Sequence, residues 1–168
     1  MRLSALVALA CASLLAGAPA SAQDETPQSL FRGVLLKDAK TASGVKRLLN
    51  TNAGFVSPTP VFADLTGDGK SDAVVTVDNG GVAGAIAAYV LTAEGSSSGD
   101  LRVAFRSQSL YQGRLRTSGP TLTVAEPLWS RGDDVCCPRR ASERDYAWDA
   151  AKKAFTRRAT RTVHLNDR

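Results

Sequence analysis

The chain has 168 residues, of which 43% are hydrophobic and 22% charged, with a formal net charge of +5. This is ordinary globular usage for one domain and excludes disorder over most of the length. The charge is uneven: residues 23–100 carry 6 basic and 9 acidic side chains, and residues 101–168 carry 14 and 7. A polyanion-binding face, if there is one, belongs to the second half, where the same arginines also serve plain solubility.

Residues 1–22 read as an export signal. Arg2 gives a positive start, Leu3 to Leu15 is apolar, and Ala20-Ser21-Ala22 is a small-residue cleavage site before Gln23. The remaining chain is long enough for one hydrophobic core and keeps no apolar stretch able to span a membrane. The expected location is secreted, periplasmic or in the cell envelope. A lipid anchor at Cys11 is the lesser alternative, because Leu9 falls one place too late for a lipobox. The polyanions met there are envelope polymers, lipid head groups and polysaccharides, not nucleic acid.

Residues 23–29 form a short polar lead-in, and residues 30–168 a single globular domain. Leu30, Val34 and Leu35, then Val45, Leu48 and Leu49, recur at helical spacing. They predict a short helix or turn over 29–36 and a longer helix over 38–50, closing near Asn52-Ala53-Gly54. Strands are expected at 61–65, 73–77 and 85–92, with Asp78-Asn79-Gly80-Gly81 as a tight hairpin turn between the last two. Residues 94–100 read as a flexible Gly/Ser loop. Further strands are expected at 101–106 and 121–126, and a last hairpin joins 144–149 to 155–163 around 150–153. With no fixed-period repeat, the expected fold is α+β: one or two N-terminal helices packed on a mainly antiparallel sheet of six or seven strands.

Asp64-Leu65-Thr66-Gly67-Asp68-Gly69-Lys70-Ser71-Asp72 places side-chain oxygens at positions 1, 3, 5 and 9. A hard cation such as calcium takes six to eight oxygens. Asp64, Asp68 and Asp72 supply charge, Thr66 a neutral oxygen and Lys70 its backbone carbonyl, with Gly67 and Gly69 allowing the sharp turn. An EF-hand is excluded, since position 12 is Val75 rather than Glu. The competing reading is an Asp/Gly turn held by its own side-chain-to-backbone hydrogen bonds. Over residues 62–74 the stretch resembles the calcium loop of FG-GAP/VCBS-type repeats, with Thr66 where Asp or Asn is usual; the resemblance implies a loop joining two strands.

Cys136 and Cys137 are adjacent and precede Pro138. In an oxidising compartment the pair favours a disulfide, which adjacent residues close only as a strained ring. The Asp-loop strand pair, then Cys136-Cys137-Pro138, then an aromatic strand with Tyr146 and Trp148, resembles the actinobacterial LppP/LprE-type lipoproteins and their secreted relatives. That resemblance implies an exported envelope-associated domain and no activity.

Catalytic constellations are thin. His164 and the cysteine pair are a poor nucleophile–base set, because an exported pair tends to be oxidised and His164 lies in a tail expected to fray. Two cysteines and one distant histidine are too few for zinc. Asp133, Asp134, Glu143 and Asp145 are the acids available for glycoside hydrolysis, and their many arginine neighbours point to salt bridges instead. No residue is assigned a catalytic role. The expected function is an exported, non-catalytic, calcium-stabilised domain that binds an envelope component or partner protein; the alternative is a small extracellular hydrolase acting on cell-wall or other polymeric material.

Overall fold

The computed structural model describes residues 26–93, 100–134 and 137–165. The leader at 1–22, residues 94–99 of the expected Gly/Ser loop and Cys136 of the cysteine pair lie outside the described residues.

Thr26 starts the first helix, α1 (Pro27–Lys37): its side chain accepts from Ser29 N–H, and Pro27 follows where a missing N–H costs nothing. The helix therefore begins inside the segment read as lead-in. The second helix, α2, spans Ser43–Asn50 rather than starting at residue 38. Residues 38–41 instead make a turn, Thr41 N–H donating to Asp38 O at 3.2 Å, and the Asp38 carboxylate fastens that turn to β-strand residue Arg106. It receives Thr41 Oγ1 at 2.8 Å and the Arg106 guanidinium at 2.6 and 2.9 Å. Phe31 and Leu35 of α1, and Val45 and Leu49 of α2, each four residues apart, are the buried faces. Arg32 binds the Leu49 carbonyl near the end of α2 at 2.9 Å, satisfying an acceptor the helix itself leaves open.

Nine strands follow among the described residues: β1 (Phe55–Val56), β2 (Val61–Ala63), β3 (Asp72–Asp78), β4 (Ala85–Ala93), β5 (Leu101–Gln108), β6 (Arg114–Ser118), β7 (Thr121–Leu128), β8 (Arg140–Asp149) and β9 (Ala154–His164). The α+β class holds, but the single sheet of six or seven strands does not. The strands form two antiparallel sheets, one ordered β1-β3-β4-β5 with β2 also on β3, the other the meander β6-β7-β8-β9.

The split occurs at residues 109–113. Ser109 and Gln112 take positive φ, of 69° and 50°, and Leu110, Gln112 and Gly113 donate back to carbonyls of Ile86, Ala83 and Ala85. This corner carries the chain from the first sheet to the second. A Cβ on Gly113 would meet Leu110 Cδ1 at 2.7 Å and Leu110 Cβ at 3.1 Å, so any larger residue there would push the buried Leu110 side chain aside. The hairpin expected at 78–81 is also looser than a two-residue turn, since β4 starts only at Ala85. Asp78 and Asn79 each accept an N–H two residues on, which holds the start of that loop.

The result is three layers. Helix residues Phe31, Leu35, Val45 and Leu49 pack on Val75, Val77, Tyr89 and Leu91 of the first sheet. On that sheet's other face, Val74, Val90 and Phe105 meet Leu122 and Val124 of the second, with Tyr146 and Phe155 alongside. Phe105 makes edge-to-face contacts with Tyr146 (4.8 Å between centroids) and Phe155 (5.7 Å). Among the described residues the first sheet is thus covered on both faces, and the second on one. No described helix is long and apolar enough to cross a membrane.

Candidate functional site

The uncovered face of the second sheet holds polar side chains in cross-strand register. Leu122 and Val124 face inward, so Thr123 and Ala125 of β7 face outward, with Arg114 and Arg116 beside them on β6 and Glu143 and Asp145 on β8. Glu143 is only 2% exposed, because guanidinium groups cover it: Arg116 at 2.8 Å and Arg161 of β9 at 2.6 Å. Arg161 also pairs with Asp145, which accepts from Thr123 as well. Those bonds, from Arg161 first and then Thr123, hold the Asp145 carboxyl below the usual carboxylate range and raise the Arg161 guanidinium. Arg158 causes this arrangement. It has no partner in the ladder, so Arg161 faces Glu143 while Phe155 faces the core, although the two lie six positions apart.

Above this network lies a groove of about 590 Å³. Ala125, Pro127 and Ala141 are apolar parts of its lining, with Glu143 among them; Gln112, Arg114 and Arg116 line one side, and Pro138 and Leu165 the other. β6 pairs with β7 only as far as Arg114↔Ala125, so β7 runs on past its neighbour through Pro127, where a residue without an N–H is tolerated. Tyr111 and Trp129, 42% and 38% exposed, meet edge-to-face one residue before Gln112 and two after Pro127.

The acidic loop lies at the opposite end, between β2 and β3, which pair up to Ala63↔Asp72. Gly67 and Gly69 have φ of 74° and 79°, as the sharp turn requires. Asp64 accepts from Gly67 and Gly69 N–H at 2.7 and 3.0 Å, and Asp68 from Lys70 N–H at 2.9 Å. Asp72 is buried and accepts from Leu65 and Thr66 N–H at 2.8 and 2.9 Å, with Thr66 Oγ1 at 3.4 Å. Leu65 is buried between the sheets and anchors the loop. Among the described residues no three His, Cys, Asp or Glu side chains converge as a ligand set. The donor types nevertheless suit a hard cation: a carboxylate offers about four acceptor positions, and the hydrogen bonds above leave some open on each aspartate. Thr66 and Asp68 open into a second cleft of about 620 Å³, shared with Arg102, Trp148 and Lys153.

The remaining residues singled out from sequence are scattered or structural. Asp133 accepts from Ser130 N–H at 2.8 Å and lies 3.5 Å from Arg139. Asp134 bridges Cys137, whose N–H reaches Asp134 O at 3.0 Å. The pairing of Cys137 with Cys136 lies outside the described residues. His164 does not lie in a frayed tail: it closes β9 opposite Arg140, on the parity opposite to groove-lining Ala141. Arg114, Arg116, Pro127 and Gln112 were not singled out at all. The signal for two of them was Arg114-Leu115-Arg116, a polar–apolar alternation in a stretch too short to read as a strand.

Comparisons with protein-family models, with curated proteins and with solved structures find no match for this chain.

Proposed function

We propose that this is an exported, non-catalytic binding domain that holds an envelope component in the groove over Ala125 and Glu143. The observation that carries the reading is the groove itself: a concave, partly apolar surface with guanidinium groups converging on it, on a sheet face that no other layer of the described residues covers. Its carboxylates are poorly placed for hydrolysis. Glycoside cleavage needs one acid with a raised pKa, whereas Asp145 is held low and Glu143 lies between two arginines.

Calcium has a structural role in this proposal, at the far end of the molecule. Asp64, Asp68 and Asp72 would hold it, with Thr66 and the Lys70 carbonyl, and it would offset the repulsion of three carboxylates in nine residues. The likeness of residues 62–74 to FG-GAP/VCBS-type loops supports this. The likeness of the Cys136-Cys137-Pro138 segment to LppP/LprE-type relatives supports export, where the two cysteines close on each other.

The test is co-sedimentation of the chain from Gln23 onward with purified insoluble cell-wall polymer. Wild type is expected in the pellet. Ala125→Trp, which fills the groove from a partly exposed position, is expected in the supernatant with its melting temperature little changed. Wild type remaining in the supernatant, or Ala125→Trp pelleting equally, refutes the reading.

A further inference from the structure

We infer that the occupant of this groove is a glycan carrying carboxylates, with its acid group held by Arg114 and Arg116 and its sugar rings against the Tyr111–Trp129 end. The inference rests on the groove being a ligand site and adds the chemistry of the ligand.

Charge points to an anion. The two glutamates lining the groove are already matched: Glu143 by Arg116 and Arg161, and Glu126 by Arg144. Arg114 is exposed on β6 and has no ion-pair partner among the described residues. Arg116 offers Glu143 only its Nη2, and its side chain keeps 44% exposure. Arg114 and Arg116 lie two residues apart on one strand face, about 7 Å between their backbone positions. That separation suits a carboxylate held by one and steered by the other.

Shape and polarity point to sugar rings rather than an acyl chain. Ala125, Pro127 and Ala141 are short side chains, with Pro138 and Leu165 at the side. With Leu115 they make the apolar part of the lining, built mostly of short side chains. Gln112 spends its Nε2 on the Val82 carbonyl at 3.0 Å, so its Oε1 is left as an acceptor suited to a hydroxyl. Its backbone is held at φ 50°, which costs free energy and is retained where the surroundings insist on it. The partly exposed rings of Tyr111 and Trp129 do not line the groove itself but sit one residue from Gln112 and two from Pro127, which do; they combine an apolar body with a polar tip, which matches the alternating CH and OH surface of a sugar.

The test uses the chain from Gln23 onward, with binding read by calorimetry and tryptophan fluorescence. The probes are tetragalacturonate, its fully methyl-esterified form and phosphatidylglycerol vesicles. Tetragalacturonate is expected to bind, the neutral ester to bind about tenfold or more weakly, and the vesicles not to compete. Arg114→Gln and Trp129→Ala should each lose about tenfold or more with unchanged melting temperature; Arg114→Lys should recover part of the loss. Absence of tetragalacturonate binding at millimolar concentration overturns the inference, as does an ester that binds equally or an Arg114→Gln variant that binds like wild type. Vesicle binding that depends on Arg114 without tetragalacturonate binding overturns it in favour of a lipid head group. If cell-wall sedimentation still responds to Ala125→Trp in these cases, the groove stands as the site and only its ligand chemistry falls.

Discussion

Val103 and Phe105 are two residues apart on β5 and face opposite layers of the molecule, Val103 beneath the helices and Phe105 between the sheets. Val103 pairs with Leu91 and Phe105 with Val90, so Ala104 has no partner and the alternation reverses there. The reversal brings Arg106 to the helix side, where it meets Asp38. Deleting Ala104 would close this bulge and leave Val103 opposite Leu91 and Phe105 opposite Val90 as successive pairs, with Arg106 still on the helix side. The deletion is therefore expected to keep cooperative thermal unfolding, and Ala104→Ser should stay within about 1 kcal/mol of wild type; loss of the cooperative transition on deletion would refute this.

The Asp38–Arg106 pair makes stability depend on acid. Burial alone would raise the Asp38 carboxyl, but the Arg106 guanidinium and the Thr41 hydroxyl outweigh it and hold it below 3.8. A carboxyl lowered in the folded state contributes stability above its unfolded value, and that stability is lost as pH falls through the folded value. Wild type should therefore lose more stability than Asp38→Asn between about pH 5 and pH 2. At pH 7 the substitution should cost about 2 kcal/mol. Urea melts of both proteins across that range check this; parallel curves would refute it.

Phe105 joins the two sheets. Phe105→Ala removes the ring that Tyr146 and Phe155 contact and should cost about 3–5 kcal/mol. Phe105→Leu should cost less than half of that. Denaturant melts give both values, and near-ultraviolet circular dichroism should lose its aromatic signal in the alanine variant first.

Millimolar calcium is expected to raise the melting temperature over that in chelator, through mass action at a dissociation constant of about 10⁻⁵–10⁻³ M. Asp68→Ala should abolish the rise and leave the metal-free protein as stable as wild type, because Asp68 is exposed and, among the described residues, accepts from Lys70 N–H alone. Asp72→Ala should also destabilise the metal-free protein, by about 1–3 kcal/mol, since it strands the Leu65 and Thr66 N–H groups. Equal melting of wild type with and without calcium would reduce the loop to a turn.

Several elements were legible in the sequence because their causes are local. The spacing of Leu35, Val45 and Leu49 places both helices, and Gly67 and Gly69 adopt the positive φ that their loop demanded. The hairpin at 150–153 also follows from its neighbours. The partition into two sheets was less legible. Ala73-Val74-Val75-Thr76-Val77 is apolar on both parities, the mark of a strand covered on both faces. Helices alone cover only one face, so that run already required another layer. The groove was not legible at all, since cross-strand pairing brings Arg114, Ala125 and Glu143 together from three separate stretches.

β9 ends the second sheet and turns eleven residues of backbone toward water on one side. Such a margin invites a second copy to add its own β9 and continue the sheet from molecule to molecule. Arg157, Arg158 and Arg161 would then confront their counterparts across the seam, and like charges directly opposite are destabilising. The guard is electrostatic and can be lifted by salt or a polyanion. Solutions that stay clear at low ionic strength should therefore begin to scatter light, in fibrous rather than amorphous form, when that repulsion is screened.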